Sequence, residues 1–214
     1  MAGTITALVV QKRNKERVNV YLDGEFAFGL ALAEAIKLKK GQTLSDEDIA
    51  RLKALDEIEV VHERALNLLS HRPRSAEEVR RKLRDSKQEF SDTAIETVIE
   101  RLERAGLLDD EAFARYWVDN RERFNPRSAR ALRHELRQKG VSNQVVDRVL
   151  ADLDEQDAAY RAAQAKVRRY AHADEAEFRK RMGGYLSRRG FAYGVVRDVL
   201  DRLWDEIQTQ TNSP

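Results

Sequence analysis

The sequence predicts a mainly α protein: a tandem array of three three-helix repeats, with a small N-terminal β-meander/α extension. Three observations predict it. From about residue 59 onward apolar residues recur at helical spacing, and one twelve-residue pattern returns three times without gaps. Before residue 30 the period is two, as in strands. Breakers are few, with 3 Pro and 10 Gly against 36% charged residues, which suits amphipathic helices with solvated outer faces.

The extension covers residues 1–58. Ile5, Ala7 and Val9 share one face of ITALVVQ, and Val18, Val20 and Leu22 share one face of RVNVYL. A polar connector from Lys12 to Glu16 makes the pair a hairpin. Asp23-Gly24 offers a second, two-residue turn, because Gly takes positive φ at little cost. Glu25 to Gly29 follows as a short strand. ALAEAIKL, 31–38, reads as a helix that stops at Gly41. Ser45-Asp-Glu-Asp48 has the form of a helix start, with Ile49, Leu52 and Leu55 behind it.

The repeats are expected at 59–109, 110–156 and 157–207, with a disordered tail at 208–214. The third helices align as SDTAIETVIERL from 91, SNQVVDRVLADL from 142 and AYGVVRDVLDRL from 192. Ile95, Val146 and Val196 begin faces that continue through Val98, Val149 and Val199, then Ile99, Leu150 and Leu200, then Leu102, Leu153 and Leu203. That spacing is i, i+3, i+4, i+7. The second helices run from Ser75, Ser128 and Glu177, with Val79 and Leu83, Leu132 and Leu136, and Met182 and Leu186 in matching slots. Gly183-Gly184 interrupts the last of these patterns. Gly140 and Gly190 each follow the last apolar residue by four and read as C-caps. The first helices are expected over Val61 to Ser70, Glu111 to Phe124 and Asp157 to Ala171. One such unit has too little core of its own, so stacked neighbours would share theirs.

Charge sorts by helix. The second-helix regions are basic: residues 72–87 carry seven Lys/Arg against three Asp/Glu, residues 121–139 seven against two, and residues 161–189 nine against three. The third-helix regions are acidic, with two against seven over 91–111, one against five over 147–157 and two against four over 197–206. In a stacked array this predicts a basic stripe on one side and an acidic one on another, matched to a polyanion or to a protein with charged patches. The competing outcome is that the two sets pair within the molecule. The candidates for partner or phosphate contact are Arg80, Arg81, Arg84, Arg127, Arg130, Arg133, Arg137, Lys139, Arg179, Arg181, Arg188 and Arg189. LRHELRQKGVSNQVVDRVL has the outline of a helix-turn-helix, but its would-be recognition helix is acidic and would repel phosphates. Sequence-independent phosphate contacts from the basic helices remain the nucleic-acid alternative.

Other chemistries find little support. With no Cys, disulfides, thiolate catalysis and Cys-based zinc sites are excluded. No apolar run is long enough to span a membrane, and no signal-peptide pattern opens the chain, so a cytoplasmic location is expected. P-loop, dinucleotide-fold and nucleophile-elbow motifs are absent. His62, His71, His134 and His172 are scattered. GLLDDEAFARYWVDNR, 106–121, poses one specific question, because Asp109 and Asp110 could be a metal or acid–base pair. Their place at a repeat junction, just before a helix whose Phe113 and Trp117 share a face, reads instead as a cap followed by core. Trp204 is expected to close the third core in the same way.

Three stretches carry a family resemblance: GLLDDEAFARYWVDNR, PRSARALRHELRQKGV at 126–141 and RPRSAEEVRRKL at 72–83. Over about residues 60–205 the chain resembles the RecX regulatory proteins, bacterial modulators of the RecA recombinase. The resemblance implies tandem three-helix repeats and a protein that is not an enzyme and needs no cofactor. It further implies binding to RecA and its filament on single-stranded DNA, limited filament growth, lowered recombinase and ATPase activity, and a role in regulating recombination and DNA repair in the SOS response. It also implies weak DNA binding in some members. A monomer is expected.

Overall fold

The computed structural model describes residues 2–170 and 173–211. His172, the expected helix end at Ala171 and the tail residues 212–214 lie outside the described residues. The chain forms two compact units. Unit 1 holds the residues up to Arg72 together with Val79–Leu108, and unit 2 holds Pro73–Glu78 together with the residues from Asp109 onward.

Unit 1 begins with the predicted meander. Strands β1 (Gly3–Val10), β2 (Arg17–Leu22) and β3 (Glu25–Ala31) pair antiparallel, and Leu22 lies opposite Glu25 across the two-residue turn. Both turn residues have positive φ, 49° at Asp23 and 92° at Gly24, and this twist matches that of the flanking strands. Helix α1 (Leu32–Ala35) is shorter than expected. It has no side-chain N-cap, and its end tightens into i→i+3 bonds from Lys37 to Glu34 and from Leu38 to Ala35. A fourth strand, β4 (Thr43–Leu44), pairs with Gly3 and Thr4 to give the order β3-β2-β1-β4. Two residues are too few to show a period, so sequence pattern does not reveal it.

Helix α2 (Asp46–His71) starts at the expected signal, with Ser45 and Asp48 forming a reciprocal capping box. The segment from Ser45 and the helix expected over Val61 to Ser70 are one continuous helix of 26 residues, because no Gly or Pro interrupts the stretch between them. Ile49 and Leu52 pack into the sheet core with Ile5, Val20 and Leu30. Farther along, Val61 and Ala65 are buried, as are Val79 and Leu83 of α3 (Ala76–Arg84). Helix α4 (Asp92–Arg104), capped by Ser91, buries Ile95, Val98, Ile99 and Leu102, the face its spacing predicts.

Unit 2 contains the first turn of α3 and six further helices among the described residues. They are α5 (Asp110–Phe124), α6 (Ala129–Gln138), α7 (Asn143–Leu150), α8 (Glu155–Val167), α9 (Glu175–Arg188) and α10 (Tyr193–Thr211). Phe113, Leu132, Leu136 and Val146 share one core, and Phe178, Met182, Leu186, Val199 and Leu203 share another. Trp204 packs on the second core with its ring 5.4 Å from that of Phe178. Gly183-Gly184 does not break α9: fully buried Phe178, Met182 and Leu186 hold it through the pair, and tertiary packing overrides the propensity loss. Helix α10 runs through Thr211, so the tail expected from 208 is helical at its start.

Candidate functional site

Unit 2 uses one arrangement of helix ends twice. Ser75 and Ser128 hold equivalent places in RPRSA and NPRSA, and both are buried. Each hydroxyl caps its own helix, accepting from Glu78 N and Ala131 N respectively. The Ala that follows each Ser leaves a backbone N–H that its own helix cannot satisfy. An acid at the first position of a later helix supplies the acceptor: Asp110 Oδ1 lies 2.9 Å from Ala76 N, and Glu155 Oε1 lies 2.6 Å from Ala129 N. The C-terminus of a further helix closes each junction. Ser75 Oγ donates to the Lys139 carbonyl, and Ser128 N donates to the Arg189 carbonyl at 3.3 Å.

Lys139 and Arg189 are equivalent, and each is followed by a glycine with positive φ, 81° at Gly140 and 92° at Gly190. A Cβ at Gly140 would run into Cβ and Cγ of Glu77, and one at Gly190 would stand 2.5 Å from Ser128 Oγ. Both glycines are C-caps, as their spacing predicts, and they also let two helix ends approach closely.

Charged side chains surround the first junction. Lys139 Nζ lies 2.8 Å from Glu78 Oε1, with side chains only 17% and 9% exposed. The same ammonium lies 4.1 Å from the centre of the Trp117 ring, and the Arg121 guanidinium lies 4.5 Å from it. Trp117 Nε1 donates to Glu135 at 2.8 Å, and Arg121 and Arg127 converge on the same carboxylate. Trp117 therefore packs against the core that contains Phe113 and is held between cations of its own chain. At the second junction the Arg189 guanidinium donates to Asn125 and to the Pro126 carbonyl and lies 4.6 Å from the Tyr185 ring centre.

The expected separation of basic and acidic stripes is not found within either unit. Second-helix arginines face third-helix acids and pair with them. Arg80 grips both oxygens of Glu96 at 2.7 and 2.9 Å, and Arg84 bonds Asp92 at 2.9 Å. In unit 2 the equivalent Arg133 pairs with Asp147 at 2.8 Å, whereas Arg137 donates to the neutral amide of Asn143 at 2.7 Å. In the third repeat the slots equivalent to Arg80 and Arg84 hold Gly183 and Ser187, and the pairing moves one turn along to Arg179 and Asp201. Arg181 pairs with Glu177 on its own helix. Side chains of opposite sign across a shared helix–helix seam are nearest neighbours, and sequence charge counts do not register that. Among the described residues, Arg81, Arg130 and Arg188 are the candidates left exposed with neither an ion pair nor a side-chain hydrogen bond, while Arg137 is exposed and bonded only to neutral Asn143.

The acids of GLLDDEAF act as caps at two different helices. Asp109 Oδ1 accepts from Glu111 N and Ala112 N, capping α5, while Asp110 reaches α3. The second role joins positions 34 residues apart and has no local signature. Among the described residues no cluster of three or more His, Asp or Glu side chains is placed to hold a metal, and no helix is long and apolar enough to cross a membrane.

The pairing also sets an acid response. The bidentate bond from Arg80 holds the Glu96 carboxyl below its ordinary range, and bonds from Arg115 and Arg148 do the same for Glu111. A depressed folded-state pKa stabilises above the unfolded value, and the stabilisation is lost as pH falls through the folded value. For Glu96, whose ordinary value is 4.5, it is complete above that pH and lost as pH falls through the lower folded value. Glu96→Gln is expected to be less stable than wild type at neutral pH by under about 1 kcal/mol, as for a half-exposed pair, and to converge with wild type as pH falls through the folded value. Thermal midpoints across that range check this, and a gap that stays constant with pH would refute the pairing.

The chain matches family models along most of its length. These are the regulatory protein RecX N-terminal domain over residues 3–45, then the first, second and third RecX three-helix domains over 62–102, 109–150 and 154–200. Among curated relatives, the regulatory protein RecX of Bacillus subtilis is 33% identical over 213 residues, covering 97% of this chain and 80% of that protein. The RecX of Chlorobium phaeobacteroides is 36% identical over 140 residues, covering 65% of this chain and 91% of the other. A solved crystal structure of regulatory protein RecX superposes with a TM-score of 0.73 at 27% identity, covering 93% of this chain and 99% of that one. A RecX structure from Lactobacillus salivarius, 22% identical, shares the fold with a TM-score of 0.61 over 70% of this chain and 97% of that one.

Proposed function

Because the chain belongs to the RecX family of regulatory proteins, we propose that it binds the RecA recombinase and its filament on single-stranded DNA. Bound there, it limits filament growth and lowers recombinase and ATPase activity, acting in the cytoplasm as a monomer during recombinational DNA repair. The observation that supports this best is the recurrence of one helix-end junction at Ser75 and Ser128. Equivalent modules joined in one way offer repeated contacts, which suits a partner that is itself a polymer of one subunit. The cations available for such contacts are the exposed ones with no side-chain partner among the described residues, Arg81, Arg130 and Arg188, and not the arginines bonded along the seams. Reversing those three charges is expected to leave the helical content intact and to weaken inhibition of RecA-dependent ATP hydrolysis at least about tenfold. Unchanged inhibition would remove these residues from the interface.

A second reading, a sequence-independent nucleic-acid-binding module, is favoured by one surface feature. Phe124 is 71% exposed, with the Arg123 guanidinium 5.2 Å from its ring centre, and a base could stack there. Titration with DNA alone across salt separates the readings, since nanomolar binding near physiological salt without RecA would favour the second.

A further inference from the structure

Unit 1 contains a groove of about 420 Å³ between the β3–α1 corner and α2. Its apolar lining includes Leu32 and Ile36, which are 38% and 73% exposed although both are large aliphatic side chains. Its rim is acidic, formed by Glu16, Glu59 and Glu63. The walls are fixed. Leu32 N donates to the Glu16 carbonyl at 2.7 Å, and Arg17 pairs with Asp56 at 2.7 Å with both side chains largely buried. Arg17 is thereby neutralised, and Glu59 is answered by Arg101 at 2.8 Å. Glu16 and Glu63 are exposed and in no ion pair among the described residues.

We propose that this groove is a protein-docking site for a segment that places an apolar side chain beside Lys or Arg. On the reading above, that segment belongs to a recombinase subunit. Charge selects this occupant. Two uncompensated carboxylates repel nucleic-acid phosphates and anionic lipid headgroups, whereas a flanking cation is drawn to them. The apolar floor supplies the anchor that a hot spot needs, with the acids as its rim. Unit 1 would therefore hold the protein component of the filament and not its DNA.

The test uses the full chain, its cognate RecA filament on single-stranded DNA, and bare single-stranded DNA. Two variants are compared with wild type: Leu32→Ser with Ile36→Asp, which removes the anchor, and Glu16→Lys with Glu63→Lys, which reverses the rim. All four positions are solvent-exposed, and circular dichroism with a melting curve verifies each fold. Both variants are expected to bind the filament at least tenfold more weakly, with their signal on bare DNA unchanged. If wild type binds the filament and both folded variants bind within twofold of it, the groove is overturned while the partner reading stands. Equal losses on bare DNA would overturn it as well, by making the face a nucleic-acid contact. If wild type itself fails to bind the filament, the partner reading falls and the proposed occupant falls with it.

Discussion

Gly140→Ala is expected to destabilise unit 2 by about 3 kcal/mol, against about 1 kcal/mol for Gly106→Ala in unit 1. Both glycines sit at positive φ, 81° and 68°, so both substitutions carry the roughly 1–2 kcal/mol backbone penalty of an L-residue there. The surroundings separate them. A Cβ at Gly106 meets nothing within 4 Å, whereas one at Gly140 collides with the Glu77 side chain at its root, where no rotamer change can move it aside. Relief requires the end of α6 to retreat from the start of α3, which would break the Ser75 bond to the Lys139 carbonyl. Gly190→Ala is expected to fall between the two, because its close neighbours are Ser128 Oγ at 2.5 Å and Ala131 Cβ at 3.1 Å. The chain's two tryptophans, Trp117 and Trp204, both lie in unit 2, so their fluorescence reports its melting. A loss of about 3 kcal/mol should lower its midpoint by more than about 10 °C. A Gly140→Ala loss no larger than the backbone penalty alone, about 1–2 kcal/mol, would mean that the close approach at the junction carries no energy.

The sequence makes the repeats legible because each helix has to bury one face. Ile95, Val98, Ile99 and Leu102 show that face in their spacing, and Val146 and Leu150 show it again. Ser45 and Asp109 are legible as caps because the backbone groups they satisfy lie within three residues. Contacts made between elements were not legible. Asp110 caps a helix that begins 34 residues earlier, and Ser75 donates to a carbonyl 64 residues later. The opposite charges of the second and third helices were countable, yet their sum cannot say whether Arg80 faces solvent or Glu96. The geometry of the seam decides that, and it places the pair within 2.7 Å. The exposure of Ile36 was hidden for a related reason, since in ALAEAIKL it occupies a slot that a longer helix would have buried.

Lys139→Met is expected to cost unit 2 about 3 kcal/mol, and adding Glu78→Gln is expected to recover most of the loss. The methionine keeps the aliphatic stem but removes the ammonium, leaving the Glu78 carboxylate, whose side chain is 9% exposed, without this cation. Removing one member of a buried pair typically costs about 3–5 kcal/mol, because the other charge stays desolvated. The attraction to the Trp117 ring, 4.1 Å from Nζ, is lost in the same step and is counted within that cost. Neutralising Glu78 as well removes the charge whose pairing with Lys139 was lost. A buried pair is worth little more than a neutral replacement of similar size, so the double variant should lie within about 1–2 kcal/mol of wild type. The resulting coupling of about 2 kcal/mol, read from a double-mutant cycle of denaturant midpoints, would identify the pair as a direct interaction. Additive losses would instead assign the role of Lys139 to its packing on Trp117 and Phe113. The paired arginines of the helix seams should behave differently, since Arg133 and Asp147 retain 37% and 63% of their side-chain exposure and water already screens them. Two kinds of ion pair thus share one basic sequence signature: those at the helix ends fix how unit 2 is joined, and those along the seams contribute little beyond covering charge that would otherwise face a partner.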